Sequence, residues 1–175
     1  MTQGEDVIIS ASAEIRHLDL CKIGNHVAID SGFYCTTALE LGDYVHISPH
    51  VAVIGGRSSA LIMEDFCVIG AGSKMVGGSE LFLGEGLIGP FIPKEYHDTS
   101  IVAPIRLERF SGVMTNAVVM PGITMAEGSF LGANSLLKEN TEPWTIYAGN
   151  PARPIRKRPR EKCYEYAAKM GYVYL

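Results

Sequence analysis

The eight residues IGNHVAID, at positions 23–30, recur as LGDYVHIS at positions 41–48, eighteen residues further along the chain. Inside this repeat is a shorter one, because stepping by six from position 23 to position 53 meets an apolar residue every time. The same is true of steps of six over 107–137 and over 63–81. A period of six fits neither an α-helix nor a long alternating strand. It fits short strands that turn a corner every six residues.

Three sides of six residues make one turn of a triangular coil, and stacked coils bury the inward faces that a single coil cannot bury. The sequence therefore predicts an all-β fold of stacked coils. The aliphatic residue of each hexad is expected to point inward, with a small residue four places later where the wall bends. We interpret the glycines beside the inward positions, such as Gly24 and Gly70, as residues that allow a positive φ at a tight corner.

Three segments depart from the repeat. At 88–104 the hexads break and prolines accumulate, so we expect a long loop that leaves the stack, a usual place for function. After Pro159 the composition becomes helix-like. The predicted organisation is a β-helix domain over 1–160 and a short helical tail over 161–175 that closes the stack. Four extra residues, GGRS at 55–58, are absorbed between two repeats.

Composition bounds the class of protein. The chain has 175 residues, 47% of them hydrophobic and 19% charged, which suits one domain with a real core. The first residues do not resemble a signal peptide, and no apolar stretch is long enough to span a bilayer, so we expect a cytoplasmic protein. The four cysteines are far apart and are expected to be reduced. The formal net charge of −4 argues against nucleic acid as the main partner.

One segment is strongly basic although the chain as a whole carries a net negative charge. Residues 153–162 contain six Lys or Arg residues and one acidic residue, directly after the Gly-Asn-Pro turn at 149–151. Such a run is either a solvated tail or a site for a compact anion, such as the phosphates of a cofactor.

The hexads and the segment LGANSLLKENTEPWTIYAGNPARPIRKR, at 131–158, resemble the left-handed β-helix, or hexapeptide-repeat, acyltransferases over nearly the whole chain. GGSELFLGEGLIGPFIPKEY, at 77–96, is similar to the loop of sugar acetyltransferases found among polysaccharide and O-antigen genes. The resemblance implies a left-handed parallel β-helix of roughly seven coils, at about 18 residues per coil. It also implies a homotrimer that uses acetyl-coenzyme A to acetylate a hydroxyl or amino group of a sugar or nucleotide sugar. The expected role is the biosynthesis of surface polysaccharide such as lipopolysaccharide.

The resemblance further assigns contacts to coenzyme A. Arg156 falls where the family contacts a phosphate, and arginine meets phosphate through charge-assisted hydrogen bonds. Ala133 and Ala148 match positions where the pantetheine arm passes backbone amides, and the N–H of Thr115 matches one that faces the thioester oxygen. The predicted cofactor-binding residues are Thr115, Ala133, Lys138, Ala148, Arg153, Arg156, Lys157 and Arg158.

Transfer to a sugar hydroxyl needs a base. His46 is the first candidate, because it precedes an inward position and should face outward from a rigid strand. Glu80 is the second, and His97, in the loop beside Asp98, is the third. Galactoside- and maltose-type acetyltransferases carry their catalytic histidine at the turn that aligns with Gly78-Ser79, so that histidine is missing here. An amine acceptor would remove the need for a strong base, since a neutral amine is already nucleophilic.

The acceptor alone could differ, for example serine, an antibiotic or a tetrahydrodipicolinate-like acid, and two further alternatives stay open. A zinc enzyme like the γ-class carbonic anhydrases needs three converging imidazoles, but residues four apart, such as His46 and His50, do not stack on a six-residue face. We therefore expect no metal. A non-catalytic coil that serves as an assembly or binding module is the other alternative, and retention on immobilised coenzyme A would distinguish it.

Overall fold

The computed structural model describes residues 1–174, which form stacked coils with one β-sheet along each of three faces. The first sheet contains Thr2–Gln3, Cys21–Ile23, Ala38–Leu41, Ala60–Met63, Ile105–Leu107 and Thr124–Met125. The second contains Ile8–Ile9, Ala28–Ile29, His46–Ile47, Val68–Ile69, Gly112–Val113, Phe130–Leu131, Thr145–Gly149 and Ala152–Lys157. The third contains Glu14–Ile15, Tyr34–Cys35, Ala52–Ile54, Lys74–Val76, Val118–Val119 and Leu136–Leu137.

Neighbouring strands in these sheets are parallel, apart from the last pair of the second sheet, Thr145–Gly149 with Ala152–Lys157. The chain visits the first, second and third sheets in turn and then starts the next coil, so residues 18 or 22 apart become neighbours. Ile23 lies beside Leu41, and Leu41 lies beside Met63. The predicted all-β parallel β-helix is confirmed.

The period of six predicted the core residue by residue. The inward side chains of the two long runs are all at least 95% buried: Ile23, Ile29, Cys35, Leu41, Ile47, Val53, Leu107, Val113, Val119, Met125, Leu131 and Leu137. In the run over 107–137, the residues four places later, which are mostly small, are also buried, and their hydroxyls are paired; Thr141 Oγ1, for example, donates to Ser129 Oγ at 2.8 Å. Because burying one aliphatic side chain contributes about 1.5–3 kcal/mol, the stack is stabilised coil by coil.

The corner glycines follow a rule that differs from the prediction. Gly24, Gly42, Gly70 and Gly132 have ordinary backbone conformations and not the expected positive φ. They are needed because the next coil is too close for a side chain. A Cβ on Gly70 would lie 2.6 Å from the backbone nitrogen of Thr115. The interpretation of these glycines as positive-φ residues was therefore wrong, and close approach of the coils is the reason for them.

Positive φ occurs two residues after the glycine position. We call the corner between the first and second sheets the aromatic corner, because five ring residues lie there with φ between 53° and 61°: His26, Tyr44, Phe66, Phe110 and Trp144. Their rings form a ladder with centroids 4.5 to 5.9 Å apart. Gly128 lies at this corner on the coil between Phe110 and Trp144, where a Cβ would lie 2.4 Å from the Trp144 ring. The sequence shows a polar or aromatic residue at each ring position, but the ladder forms only when the coils stack.

The excursion loop leaves the stack earlier than the predicted 88–104. After the strand Lys74–Val76 the chain forms an antiparallel pair, Gly78–Glu80 with Ser100–Val102, and it rejoins the first sheet at Ile105. Leu81, expected to point inward, is 43% exposed. The apolar residues at the start of the loop imitate the hexad pattern, which is why the sequence placed the departure too late. A 3₁₀ turn, Lys94–Tyr96, lies within the loop, and another, Leu18–Leu20, lies in the first coil.

The helix Glu161–Lys169 follows the last strand and packs against the aromatic corner through Tyr164 and Ala167. Beyond it, the hydroxyls of Tyr172 and Tyr174 donate to Asp43 at 2.6 Å and to Asp65 at 2.7 Å. This C-terminal segment closes one long edge of the stack. Helices within residues 1–174 are too short or too polar to cross a membrane.

Candidate active site

An apolar groove runs along the outer face of the second sheet in the last coils. It is lined by Met114, Phe130, Gly132, Ile146 and Arg158 and has a volume of about 270 Å³. Phe130 and Ile146 are neighbours on adjacent strands. Gly112, on the neighbouring strand, leaves room for the Phe130 ring in this wall, because a Cβ there would lie 2.6 Å from that ring.

Beside this groove lies the corner between the second and third sheets, which we call the open corner. Met114 and Gly132 donate their N–H groups to the next coil, at 2.9 Å and 2.7 Å. The following residues, Thr115 and Ala133, are exposed, and their N–H groups donate to no acceptor within residues 1–174. Unpaired N–H groups next to an apolar groove can donate to the carbonyl or amide oxygens of an extended ligand.

The predicted cationic segment forms the antiparallel strand Ala152–Lys157 at the end of the second sheet. Arg156 lies opposite Ile146 and is exposed. It forms no ion pair with the carboxylates of residues 1–174, and the same is true of the exposed Lys138. In contrast, Arg153 pairs with Glu139 at 3.6 Å and Lys157 with Glu142 at 2.6 Å. Arg156 and Lys138 are therefore two exposed cationic residues of the predicted coenzyme A site that no carboxylate of residues 1–174 compensates.

Arg158 has a different environment from the rest of the segment. Its guanidinium donates to the carbonyl oxygens of Phe110 and Gly128, at 3.2 Å and 2.9 Å. It also lies over the rings of Phe130 and Trp144, at 4.6 Å and 5.3 Å. These contacts make Arg158 part of the groove wall and hold the cationic segment against the aromatic corner. The predicted contact of Arg158 with a phosphate stays a prediction.

A second cavity, of about 210 Å³, lies at the base of the excursion loop. Its lining residues are Gly55, Gly78, Ser79, Glu80, His97, Ser100 and Val102. The structure thus brings two of the three predicted catalytic residues, Glu80 and His97, into one pocket. The Glu80 carboxylate receives no hydrogen bond from the described part of the chain. It is available to an acceptor molecule.

His97 is committed to the loop backbone. Its Nδ1 lies 3.0 Å from the carbonyl oxygen of Asp98, and its Nε2 lies 3.2 Å from that of Gly89. A neutral imidazole donates through one nitrogen only. Because both nitrogens face carbonyl oxygens, neither presents a lone pair to the pocket. The His97 side chain connects two parts of the loop backbone, at Gly89 and Asp98.

His46 lies apart from this pocket, on the outer face of the second sheet. As predicted, it faces outward, and it is half-exposed; its Nε2 lies 2.8 Å from Asp30 Oδ2. Val68 and Gly112 stand between it and Phe130 in the same column of the sheet. At about 4.8 Å per coil, His46 is about 14 Å below the groove. Its role as a base stays a prediction.

The groove residues Met114, Phe130 and Ile146 were missed by the sequence reasoning. Polarity gives no signal for them, because the residues that precede the inward positions on the second sheet are mostly apolar, as at Ile8, Ala28 and Val68. No group of three or more metal-ligating side chains converges anywhere within residues 1–174.

Comparison with known proteins places this architecture in a family. The chain is 30% identical to AntD, an N-acyltransferase from Bacillus cereus solved in complex with dTDP and 3-hydroxybutyryl-CoA; the match covers 96% of this chain and 90% of AntD, with a TM-score of 0.89. The chain belongs to the hexapeptide-repeat acyltransferases. The resemblance seen in its hexads is confirmed.

Other similarities agree with this family membership. Over 164 residues, 90% of this chain and 82% of the relative, the acyltransferase is 29% identical to dTDP-4-amino-4,6-dideoxy-D-glucose acyltransferase of Escherichia coli. It is also 29% identical, with a TM-score of 0.91, to a serine-to-alanine variant of AntD in complex with dTDP-4-amino-4,6-dideoxyglucose and coenzyme A, over 97% of this chain and 90% of that one. No protein-family model matches the chain.

Proposed function

We propose that the protein transfers an acyl group from coenzyme A to the amino group of a nucleotide-linked sugar. The observation that carries this proposal is the open corner, where unpaired N–H groups border an apolar groove, and Arg156, which pairs with no carboxylate of residues 1–174, lies opposite the groove residue Ile146 on the neighbouring strand. The similarity to AntD and to the Escherichia coli enzyme supports an amine acceptor and a dTDP-linked sugar. The absence of a histidine at Gly78-Ser79 is consistent with an amine, which needs no strong base.

The donor site follows from the chemistry of coenzyme A. Its phosphates would meet Arg156 and Lys138, with Arg153 and Lys157 nearby, and its pantetheine arm would cross the groove beside Ala133 and Ala148. The close approach of Gly132 to Ala148 keeps this wall flat, since a Cβ on Gly132 would lie 2.9 Å from the Cβ of Ala148. The thioester oxygen would then accept the N–H of Thr115.

The acceptor site is proposed at the base of the excursion loop, beside Ser79 and Glu80. The groove belongs to the second sheet, whereas this pocket lies where the third sheet leads back to the first, so they occupy different faces of the stack, and the groove lies on later coils than the pocket. A homotrimer with a closed three-fold interface would place the pocket of one subunit against the groove of the next. The exposed apolar residues of the loop, among them Phe82, Leu83 and Phe91, provide a surface for that contact.

In the proposed reaction the neutral amine attacks the thioester carbonyl carbon. The C–N bond forms, the carbonyl oxygen becomes an oxyanion held by the N–H of Thr115, and collapse breaks the C–S bond. One proton leaves the nitrogen and one ends on the sulfur of coenzyme A. Glu80 is the proposed carrier of that proton, because its carboxylate lines the pocket without another partner, whereas both nitrogens of His97 face carbonyl oxygens.

The proposed physiological setting is the synthesis of a surface polysaccharide such as lipopolysaccharide. Acylated amino sugars are building blocks of such glycans, and both coenzyme A thioesters and nucleotide sugars are cytoplasmic metabolites. We therefore propose the cytoplasm as the compartment.

The decisive experiment is a thiol-release assay with acetyl- and 3-hydroxybutyryl-coenzyme A against dTDP-linked amino sugars and matched sugars that carry a hydroxyl in place of the amine. We expect release only with the amines. Glu80→Gln should lower kcat about 10²-fold or more, with a larger loss at low pH where the amine is protonated. Release with the hydroxyl sugars alone would contradict the proposal.

A second assay tests the donor site. Arg156→Ala should raise the KM for acetyl-coenzyme A about tenfold, and the increase should be smaller for the dephospho form, because one charge-assisted contact is lost. Arg160→Ala is the matched control, since it removes an exposed charge from the same tail outside the strand Ala152–Lys157. An equal increase in KM in both variants would contradict a specific contact of Arg156, because it would show that the cationic segment attracts coenzyme A only by its overall charge.

A further inference from the structure

The four-residue insertion at 55–58 is held in a fixed position beside the excursion loop. The N–H groups of Gly55 and Gly56 both donate to Thr36 Oγ1, at 3.2 Å and 3.3 Å. Gly55 also packs directly on Gly77, since a Cβ on Gly55 would lie 2.6 Å from the Gly77 carbonyl carbon. Because Gly55 lines the pocket of Glu80, the insertion forms one side of the proposed acceptor site.

Arg57 extends from this insertion toward the first coil. Its Nη1 and Nη2 donate to the two carboxylate oxygens of Asp19, at 3.3 Å and 2.5 Å, and Nη1 also lies 3.4 Å from Nδ1 of His17. The Nε–H and one Nη2–H of Arg57 donate to no acceptor within residues 1–174. Since Nδ1 of His17 faces a guanidinium, which is always a donor, the proton of a neutral His17 is on Nε2 and is also available. Arg57 and His17 thus present donors at one exposed place.

The position of these donors relative to the pocket suits a diphosphate. Glu80 leaves the stack after the third-sheet strand Lys74–Val76, and His17 follows the strand Glu14–Ile15, three coils away in the same sheet. At about 4.8 Å per coil, the His17 level lies about 14 Å from the level of Glu80. A pyranose ring with a diphosphate on its anomeric carbon, hydrogen-bonded at both ends, can span this distance, with its amine beside Glu80.

We propose that Arg57 and His17 bind the diphosphate of the nucleotide-linked acceptor, and that the insertion at 55–58 exists to place Arg57 for this contact. The proposal rests on the proposed function, and it adds the residues that select a nucleotide-linked sugar over a free one. Asp19 orients Arg57 in the unliganded protein, and the diphosphate competes with this carboxylate for the guanidinium.

Calorimetric titration of the full-length protein with dTDP and with thymidine tests the proposal. Arg57→Ala should weaken dTDP binding about tenfold to a hundredfold, as expected for the loss of hydrogen bonds to a charged group, and should leave thymidine binding unchanged. Asp19→Asn should strengthen dTDP binding severalfold, because it removes the competing charge. Arg106→Ala is the matched control: Arg106 is also exposed and paired with a carboxylate, that of Glu64, on the outer face of the first sheet.

The opposite signs for Arg57 and Asp19 separate binding from a structural role, because a merely structural ion pair would make both variants weaker alike. Equal dTDP affinity of the parent and Arg57→Ala, or an equal loss in Arg106→Ala, would overturn the proposal. Failure of the parent to bind dTDP would overturn it as well. The thiol-release assay distinguishes these failures from failure of the proposed function, since acyl transfer to nucleotide amino sugars can persist when Arg57 has no part in it.

Discussion

The aromatic corner and the open corner both contain residues at positive φ, but they differ in whether the backbone N–H groups are paired. At the aromatic corner, the N–H groups of Asn25 and Asp43 donate to carboxylate oxygens of the next coil, at 2.7 Å and 2.8 Å. At the open corner, the equivalent N–H groups of Thr115 and Ala133 have no acceptor within residues 1–174. The aromatic corner is covered by side chains and by the C-terminal segment, which stabilise the fold, while the open corner leaves these two donors unpaired within residues 1–174. Under the proposed function, stability and binding are thereby separated along two edges of one stack.

The largest expected effect comes from breaking the aromatic corner. Phe110 is stacked between Phe66 and Trp144 and also meets the edges of Tyr164 and Tyr174. Phe110→Ala should lower the free energy of unfolding by about 3–5 kcal/mol through the cavity and the lost ring contacts. Chemical denaturation monitored by circular dichroism measures this.

The matched control for that variant is Phe91→Ala in the excursion loop, where the ring is 96% exposed. Its free energy of unfolding should change by less than about 0.5 kcal/mol. A similar loss in both variants would mean that the ladder contributes nothing beyond ordinary hydrophobicity.

A pair of glycines gives the sharpest test of the difference between the corners. A Cβ on Gly70 would lie 2.6 Å from the Thr115 nitrogen, and a Cβ on Gly24 would lie 2.6 Å from the Gly42 carbonyl. Gly70→Ala should displace the N–H of Thr115 and lower kcat about tenfold to a hundredfold, as expected when an oxyanion donor is misplaced. Gly24→Ala creates the same clash at the aromatic corner and should lower stability while leaving kcat within about twofold of the parent.

Steady-state kinetics beside thermal unfolding of both variants separates these effects. If the two glycine variants lose activity equally, the open corner has no special part in the chemistry, and the assignment of Thr115 fails.

The sequence predicted those parts of the molecule that depend on its period. Inward positions such as Ile47 and Leu131 follow from counting by six, because every coil imposes the same geometry. The start of the loop could not be read in this way, since Leu81 continues the apolar pattern after the chain has left the stack. The corner glycines were located correctly but explained wrongly, because the distance between coils cannot be read from one coil.

The assignments of Thr115 and Ala133, which came from resemblance, stay predictions. Both residues have N–H groups without an acceptor within residues 1–174, which such assignments need. The contacts of His97 with two carbonyl oxygens depend on the path of an irregular loop, and those of Arg158 depend on coils that meet only in the folded stack. Neither the contacts of His97 nor those of Arg158 could therefore be predicted from residue type and spacing.

The smallest expected effect concerns the tail that closes the aromatic corner. The hydrogen bond to Asp43 raises the pKa of Tyr172 to about 12. A tyrosine whose pKa is higher in the folded state stabilises the fold fully below its unfolded pKa, about 10, and this contribution is lost as the pH rises through the folded value. The melting temperature of the parent should therefore fall between about pH 10 and pH 12, and Tyr172→Phe should show a lower melting temperature at pH 8 and a shallower alkaline decline. Tyr166→Phe, in the exposed face of the helix, is the control. If the melting temperatures of Tyr172→Phe and the parent decline in parallel with pH, the C-terminal segment is held by ring packing alone. The Asp43 carboxylate would then stabilise only the N–H of Asn25 at the aromatic corner.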